Sequence, residues 1–366
     1  MKTIKGVSPK RDPNSHKGEN GRVLVVGGSI DYHGAPILAG MGALHGGADL
    51  VYLYVPECNF EVTRASSPNF IVRKYTGDFL NEKAVKEIIE LGKQCDSIVI
   101  GPGLGEREET MKAVLEIVKN LHIPTVLDAA AMFALKKIGK FPLEQPIVIT
   151  PHRGEFKEFV DRDVTVKEED QKSLVILRSV AMDLQINILL KGRIDYVASE
   201  EGVVEKNLTG NAGMTVGGTG DVLAGLVGCF LAQGMEAFDA AKNAAFYNGK
   251  AGDILKKMKG ERFTASEVAE ALGAGMRGII FCNSPIVTGT SGPFPWKGSS
   301  CFSGSGCAFL ACVERASDSG NIPKKDKARR RECRKASGFC GRGSEKSRGR
   351  HLARGRFGVA SSAGFG

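Results

Sequence analysis

The strongest chemical signal in the chain is the segment Asn211-Ala-Gly-Met-Thr-Val-Gly-Gly-Thr-Gly-Asp221, which the apolar run Val222 to Leu231 follows at once. Glycines at 217, 218 and 220 let the backbone turn tightly and present free N–H groups, and a helix opening there adds the positive end of its dipole. Gly217, Gly218, Thr219 and Gly220 therefore form an anion hole suited to phosphate. It is not a Walker A loop, because no Gly-Lys-Ser/Thr follows. A carboxylate beside a phosphate is electrostatically costly unless it has a task. Accepting the proton of an attacking hydroxyl is such a task, since phosphoryl transfer asks a protein mainly for positioning, charge neutralisation and one base. Asp221 is thus the candidate catalytic residue. A helix-capping Asp is the bland alternative, outweighed here by the glycine and threonine neighbours and the wholly apolar helix behind them.

Three further loops stand where apolar runs end. Val26-Gly-Gly-Ser-Ile-Asp-Tyr-His-Gly-Ala-Pro36 has the character of a dinucleotide loop without the GxGxxG spacing. Ile100-Gly-Pro-Gly-Leu-Gly105 allows a ligand close to the backbone, although a plain strand-to-helix turn accounts for it equally well. Ile149-Thr-Pro-His-Arg-Gly-Glu155 places His152 and Glu155 at a strand end. Lys191-Gly-Arg-Ile-Asp195 fits a tight hairpin, and its polar groups would equally suit the phosphate and ribose of a nucleotide.

These loops need a frame. From Arg22 to about Leu272 short β-branched runs alternate with longer amphipathic ones, the pattern of a mostly parallel sheet flanked by helices. Strands are predicted at 22–26, 49–55, 97–100, 125–128, 147–150, 187–191, 195–198 and 203–206, and helices at 35–44, 81–91, 106–120, 167–184, 219–232 and 237–258. Each strand should deliver its following loop to one common edge, because ligands of open α/β sheets sit beyond the carboxyl ends of the strands.

The net charge of +9 over 366 residues suggests nucleic acid, but the basicity is local. Residues 277–366 hold 17 Lys and Arg against 5 Asp and Glu, which leaves 33 basic and 36 acidic residues for the rest. No nucleic acid is expected for the folded domain. The same tail carries 15 Gly, 13 Ser and six of the nine cysteines, without a paired zinc-ligand spacing. Its composition predicts disorder, or a frameshifted or mis-spliced reading frame, with an Arg/Gly-type RNA-binding tail as the alternative. The body cysteines Cys58, Cys95 and Cys229 are too scattered for a disulfide framework. No apolar run is long enough for a membrane span and the N-terminus lacks an apolar signal region, so a cytoplasmic enzyme is expected.

Taken together and in order, Gly27-Gly28-Ser29 with Gly34-Ala35, Gly101-Pro-Gly-Leu-Gly105, Thr150-Pro-His-Arg-Gly-Glu155, Lys191-Gly192 and Gly217-Gly-Thr-Gly-Asp221 resemble the ATP- or ADP-dependent NAD(P)H-hydrate dehydratases of the ribokinase-like superfamily. The resemblance covers residues 14–275. It implies a ribokinase-like three-layer α/β sandwich over residues 1–276, and a repair lyase that restores NADH or NADPH from the (S)-hydrate bearing a hydroxyl at C6. That hydroxyl would take phosphate from the nucleotide, and the phosphate would leave as the ring double bond re-forms. By the same resemblance Ala35, Gly105, His152 and Asp221 hold the hydrate. Lys191, Gly192, Arg193, Ile194, Asp195 and Gly220 hold ATP or ADP, with Mg2+ on its phosphates, and a homo-oligomer is expected. Arg153 departs from the family's usual proline, and no fused epimerase domain is expected. A superfamily kinase acting on another small alcohol is the rival reading, since it would use the same loop and aspartate.

Overall fold

The computed structural model describes residues 1–7, 9–138, 141–160 and 170–277, all within the first of the two units into which the chain divides, Met1–Val287. The predicted tail after Arg277 and the stretch 167–169 of the predicted helix 167–184 lie outside the described residues. The strands are β1 (Lys2–Thr3), β2 (Arg22–Val26), β3 (Leu50–Pro56), β4 (Phe70–Tyr75), β5 (Ser97–Ile100), β6 (Thr125–Leu127), β7 (Ile147–Ile149), β8 (Asn187–Leu190), β9 (Asp195–Ala198) and β10 (Val204–Asn207). The helices are α1 (Gly34–His45), α2 (Phe60–Ser66), α3 (Glu82–Gly92), α4 (Glu108–Asn120), α5 (Arg153–Phe159), α6 (Gln171–Leu184), α7 (Thr219–Ala232), α8 (Ala237–Lys259) and α9 (Ala265–Arg277).

One ten-stranded sheet runs in the order β1-β10-β9-β8-β7-β6-β5-β2-β3-β4. From β8 through to β4 every pairing is parallel, whereas β9 is antiparallel to both β8 and β10. The expectation that every strand points its following loop to one edge is therefore corrected at β9. Asp195 starts β9 at the site edge and the loop after Ala198 falls at the opposite one. The reversal follows from the short link Lys191–Ile194, which permits a hairpin but not a parallel crossover.

Both sheet faces are apolar, as parallel strands require. Val23, Val25 and Val99 face one core, covered by α1, α7, α8 and α9, while Leu24, Val26, Ile98 and Ile100 face the other, covered by α3, α4, α5 and α6. This is the expected three-layer sandwich. On the first face α7 is buried from Val222 to Ala232. Its glycines set the spacing: a Cβ on Gly225 would lie 1.8 Å from the Ala39 carbonyl oxygen, and one on Gly42 of α1 would lie 2.1 Å from that of Val222. The two helices thus touch backbone to backbone, which fixes where α7 begins. Among the described residues no helix is long and apolar enough to cross a membrane.

Candidate functional site

The head of α7 stands at the carboxyl ends of the parallel strands. Gly218 is its N-cap, with φ of +97°. A side chain there would be strained by that conformation and would strike Leu38, so the position needs glycine. Asp221 follows in the first turn.

Asp221 meets charges delivered by the ends of β6 and β8, the two strands that flank β7. Asp128 follows β6 and is 3 % exposed; one of its oxygens accepts from Thr150 Oγ1 at 2.6 Å and from Lys191 Nζ at 3.0 Å. Lys191 follows β8, and its ammonium is close enough to Gly220 that a Cβ on that glycine would lie 3.2 Å from Nζ. Burial pushes the Asp221 carboxyl up to about 7; nearby Asp128 adds to the push and Lys191 opposes it. For Lys191 burial favours the neutral amine, but Asp128, Glu155 and Asp221 together outweigh it and the ammonium is held. The site therefore pairs a fixed cation with a carboxylate poised to exchange a proton near neutral pH.

The turn Lys191–Asp195 is held from within. Lys191 N donates to the Pro151 carbonyl at 2.8 Å, and His152 bridges to Lys191 in parallel register. Asp195 accepts from Gly192 N at 2.9 Å and from Asn207 Nδ2 at 3.0 Å, and its burial raises the carboxyl to about 6. A cavity of about 560 Å³ opens beside this turn. Lys191, Gly192, Arg193 and Asp195 form one wall; the loop 209–212 with Met214 forms another; Thr219 and Gly220 close it at the head of α7. Such a space, walled by apolar groups and backbone with a cation at one end, suits a nucleoside with its phosphates directed to α7.

The remaining expected residues take several different positions. Ile194 belongs to the turn but its side chain is 6 % exposed, so it is a core anchor. Gly217 has open space around it. Ala35 lies in the first turn of α1, and Gly105, with φ of +75°, has open space where a side chain would be. Their loops are tied together, with Gly28 N donating to the Pro102 carbonyl at 2.8 Å and Gly101 N to that of Val26 at 3.2 Å. Neither residue lines the 560 Å³ cavity. His152 does, and it also caps α5: Nδ1 accepts from Glu155 N at 3.1 Å while Glu155 accepts from His152 N at 2.6 Å. That capping box was readable in His152-Arg-Gly-Glu155. Asp128 was not singled out, although an acid directly after Thr125-Val126-Leu127 is a signal of the same kind as His152.

Fold and site together define a ribokinase-like α/β protein with a glycine-rich helix head at the strands' carboxyl edge. The NAD(P)H-hydrate dehydratase profile matches residues 23–273, and the chain belongs to that family. The ADP-dependent (S)-NAD(P)H-hydrate dehydratase of Nitrosopumilus maritimus is 38 % identical over 280 residues, covering 75 % of this chain and 94 % of that protein. The bifunctional NAD(P)H-hydrate repair enzyme of Archaeoglobus fulgidus is 42 % identical over 278 residues, covering 76 % and 54 %. The chain spans about half the length of the bifunctional relatives it matches. Among solved structures, the ADP/ATP-dependent NAD(P)H-hydrate dehydratase from Bacillus subtilis, co-crystallised with ATP/Mg2+, superposes with a TM-score of 0.64 at 30 % identity, covering 74 % of this chain and 94 % of that one. A ribokinase-like superfamily protein from Enterococcus faecalis superposes at 0.62 with 25 % identity, covering 74 % and 91 %.

Proposed function

We propose that residues 1–276 catalyse the ADP- or ATP-dependent dehydration of the (S)-hydrate of NADH and NADPH, and so repair a damaged reduced dinucleotide in the cytoplasm. The observation that carries this reading is Asp221 itself: a carboxylate raised to about 7 near Lys191, at the head of a buried helix and directly after Gly220, which lines the cavity. The nucleotide occupies the 560 Å³ cavity with its phosphates toward Lys191 and the amides of Gly217–Gly220. Ala35, Gly105 and His152 hold the hydrate. Asp221 takes the proton of the C6 hydroxyl, whose oxygen then attacks the terminal phosphorus while the nucleotide's bridging oxygen leaves. Loss of the phosphate from C6, with a proton from the adjacent carbon, restores the ring double bond. Lys191 and the loop amides stabilise the charge that moves between oxygens.

Among the described residues no three His, Cys, Asp or Glu side chains converge as a metal cage. Mg2+ binds through substrate phosphates and one or two carboxylates. Asp128, within 3.0 Å of Lys191, fits as such a carboxylate. The ion's contribution is to neutralise phosphate charge.

The test supplies hydrated NADH with ADP or ATP and magnesium, following the absorbance of reduced nicotinamide and the release of inorganic phosphate. Equal yields of NADH and phosphate are expected. A stable phosphate ester without NADH would instead make the protein a small-molecule kinase of the same fold.

A further inference from the structure

We propose that Arg153 is the positioning residue for the nucleotide-binding turn, its guanidinium seating Lys191–Asp195 from behind so that the cavity wall keeps the shape a nucleotide meets. The proposal rests on the reading of that cavity as the nucleotide site.

Arg153 opens α5 directly after His152, whose backbone is already bridged to Lys191. Its Nη2 donates to the Ile194 carbonyl at 3.1 Å. The guanidinium also sets its Nε–Nη2 edge against Gly192: a Cβ built there would sit 2.6 Å from Nη2, 2.7 Å from Nε and 3.1 Å from Cζ. On its far side the Cζ is 5.9 Å from the ring centre of the buried Tyr196. One side chain therefore touches three consecutive parts of the hairpin: the face of Gly192, the carbonyl of Ile194 and the ring of Tyr196. Gly192, Arg193 and Asp195 line the cavity and Arg153 does not, which places it behind the wall.

Its charge has a second consequence. Burial raises the Asp195 carboxyl, and Arg153 is among the groups that pull it back toward the ionised form. The ionised form is the stronger acceptor for the Gly192 N–H at 2.9 Å, so the same guanidinium braces the turn mechanically and through Asp195. A flat group with several donors can do both at once. Lysine would supply the charge without the Nε–Nη2 edge that lies against Gly192. The same packing explains glycine at 192, because any side chain there displaces the guanidinium.

The experiment compares wild type, Arg153→Ala, Arg153→Lys, Gly192→Ala and the Arg153→Ala/Gly192→Ala pair. For each, KM for ADP, ATP and hydrated NADH is measured, together with the Kd of ADP by calorimetry and the thermal midpoint. Arg153→Ala should raise nucleotide KM and Kd at least tenfold, about 1.4 kcal/mol, and leave hydrate KM within twofold. Arg153→Lys should recover only part of that loss. The pair should bind ADP no worse than the poorer single variant, since both changes remove one contact. Unchanged ADP affinity in Arg153→Ala, or nucleotide and hydrate KM rising together, would overturn the proposal. A wild type that binds ADP without making NADH would overturn the dehydratase reading, while the Kd series would still decide the role of Arg153.

Discussion

Two aspartates at opposite ends of the sheet have opposite fates. Asp49 precedes β3 at the strands' amino edge and is surrounded by donors: Gly18 N at 2.8 Å, Asn20 N at 3.1 Å, Asn20 Nδ2 at 3.0 Å and the Arg11 guanidinium. Burial works to raise its carboxyl, but those hydrogen bonds and the arginine outweigh it and the group ends below the usual carboxylate range. Asp221 is desolvated more heavily, which is the largest cause of its rise, and with another carboxylate as neighbour it ends near 7. Burial pushes both aspartates the same way, yet they finish on opposite sides of the usual range. The balance of donors and like charges around it separates a fastening from a base.

Swapping each carboxylate for its amide sharpens that contrast. Asp221→Asn should lower turnover by roughly 10²- to 10⁴-fold, the usual worth of a general base, without loss of thermal stability. Turnover of the wild type should decline as pH falls through about 7, where Asp221 gains its proton. The sign for stability is the reverse: a raised carboxyl disfavours the folded state as pH rises from the ordinary aspartate value of 3.8 toward 7. The Asn variant should therefore gain on the wild type above pH 7. Near wild-type turnover in a folded Asn variant would remove Asp221 from the chemistry.

Asp49→Asn should do the opposite, costing about 2 kcal/mol through weakened charged hydrogen bonds, or several degrees in Tm, with turnover unchanged. Because the Asp49 carboxyl is depressed, its contribution exists above the ordinary aspartate value of 3.8 and vanishes as pH falls below it, so the difference in Tm should shrink in acid. A drop in turnover larger than the drop in folded protein would break the comparison. The smallest expected effect belongs to His152→Asn. Asparagine keeps an N-cap acceptor for α5, so Tm should hold while hydrate KM rises about two- to tenfold, the worth of one hydrogen bond. A fall in Tm with hydrate KM unchanged would make His152 a cap and nothing more.

The parallel strands and long helices were legible because their apolar runs are continuous or periodic. β4 was missed since Phe70-Ile-Val-Arg-Lys-Tyr75 is an edge strand whose Arg73 and Lys74 face water. α5 has seven residues, too few for a helical period to show. α9 was also missed, although Thr264 and Glu267 form a capping box, Thr264 N donating to Glu267 Oε2 at 2.8 Å. The loops of the site announced themselves through glycines, which mark backbone that must approach something. Asp128 and Arg153 act through groups remote in sequence, Lys191 and the 192–196 hairpin, and only the fold brings these together.

The backbone contact between α1 and α7 also bears on synthesis. Roughly 170 residues separate the two helices along the chain, and at 5–20 residues per second a ribosome takes on the order of ten seconds or more to cross that gap. Throughout it the apolar face of β2, already made and destined for the middle of the sheet, has α1 against it but not α7. That face is completed only once residue 232 has been made, an exposure of the growing chain that its finished stability does not reveal.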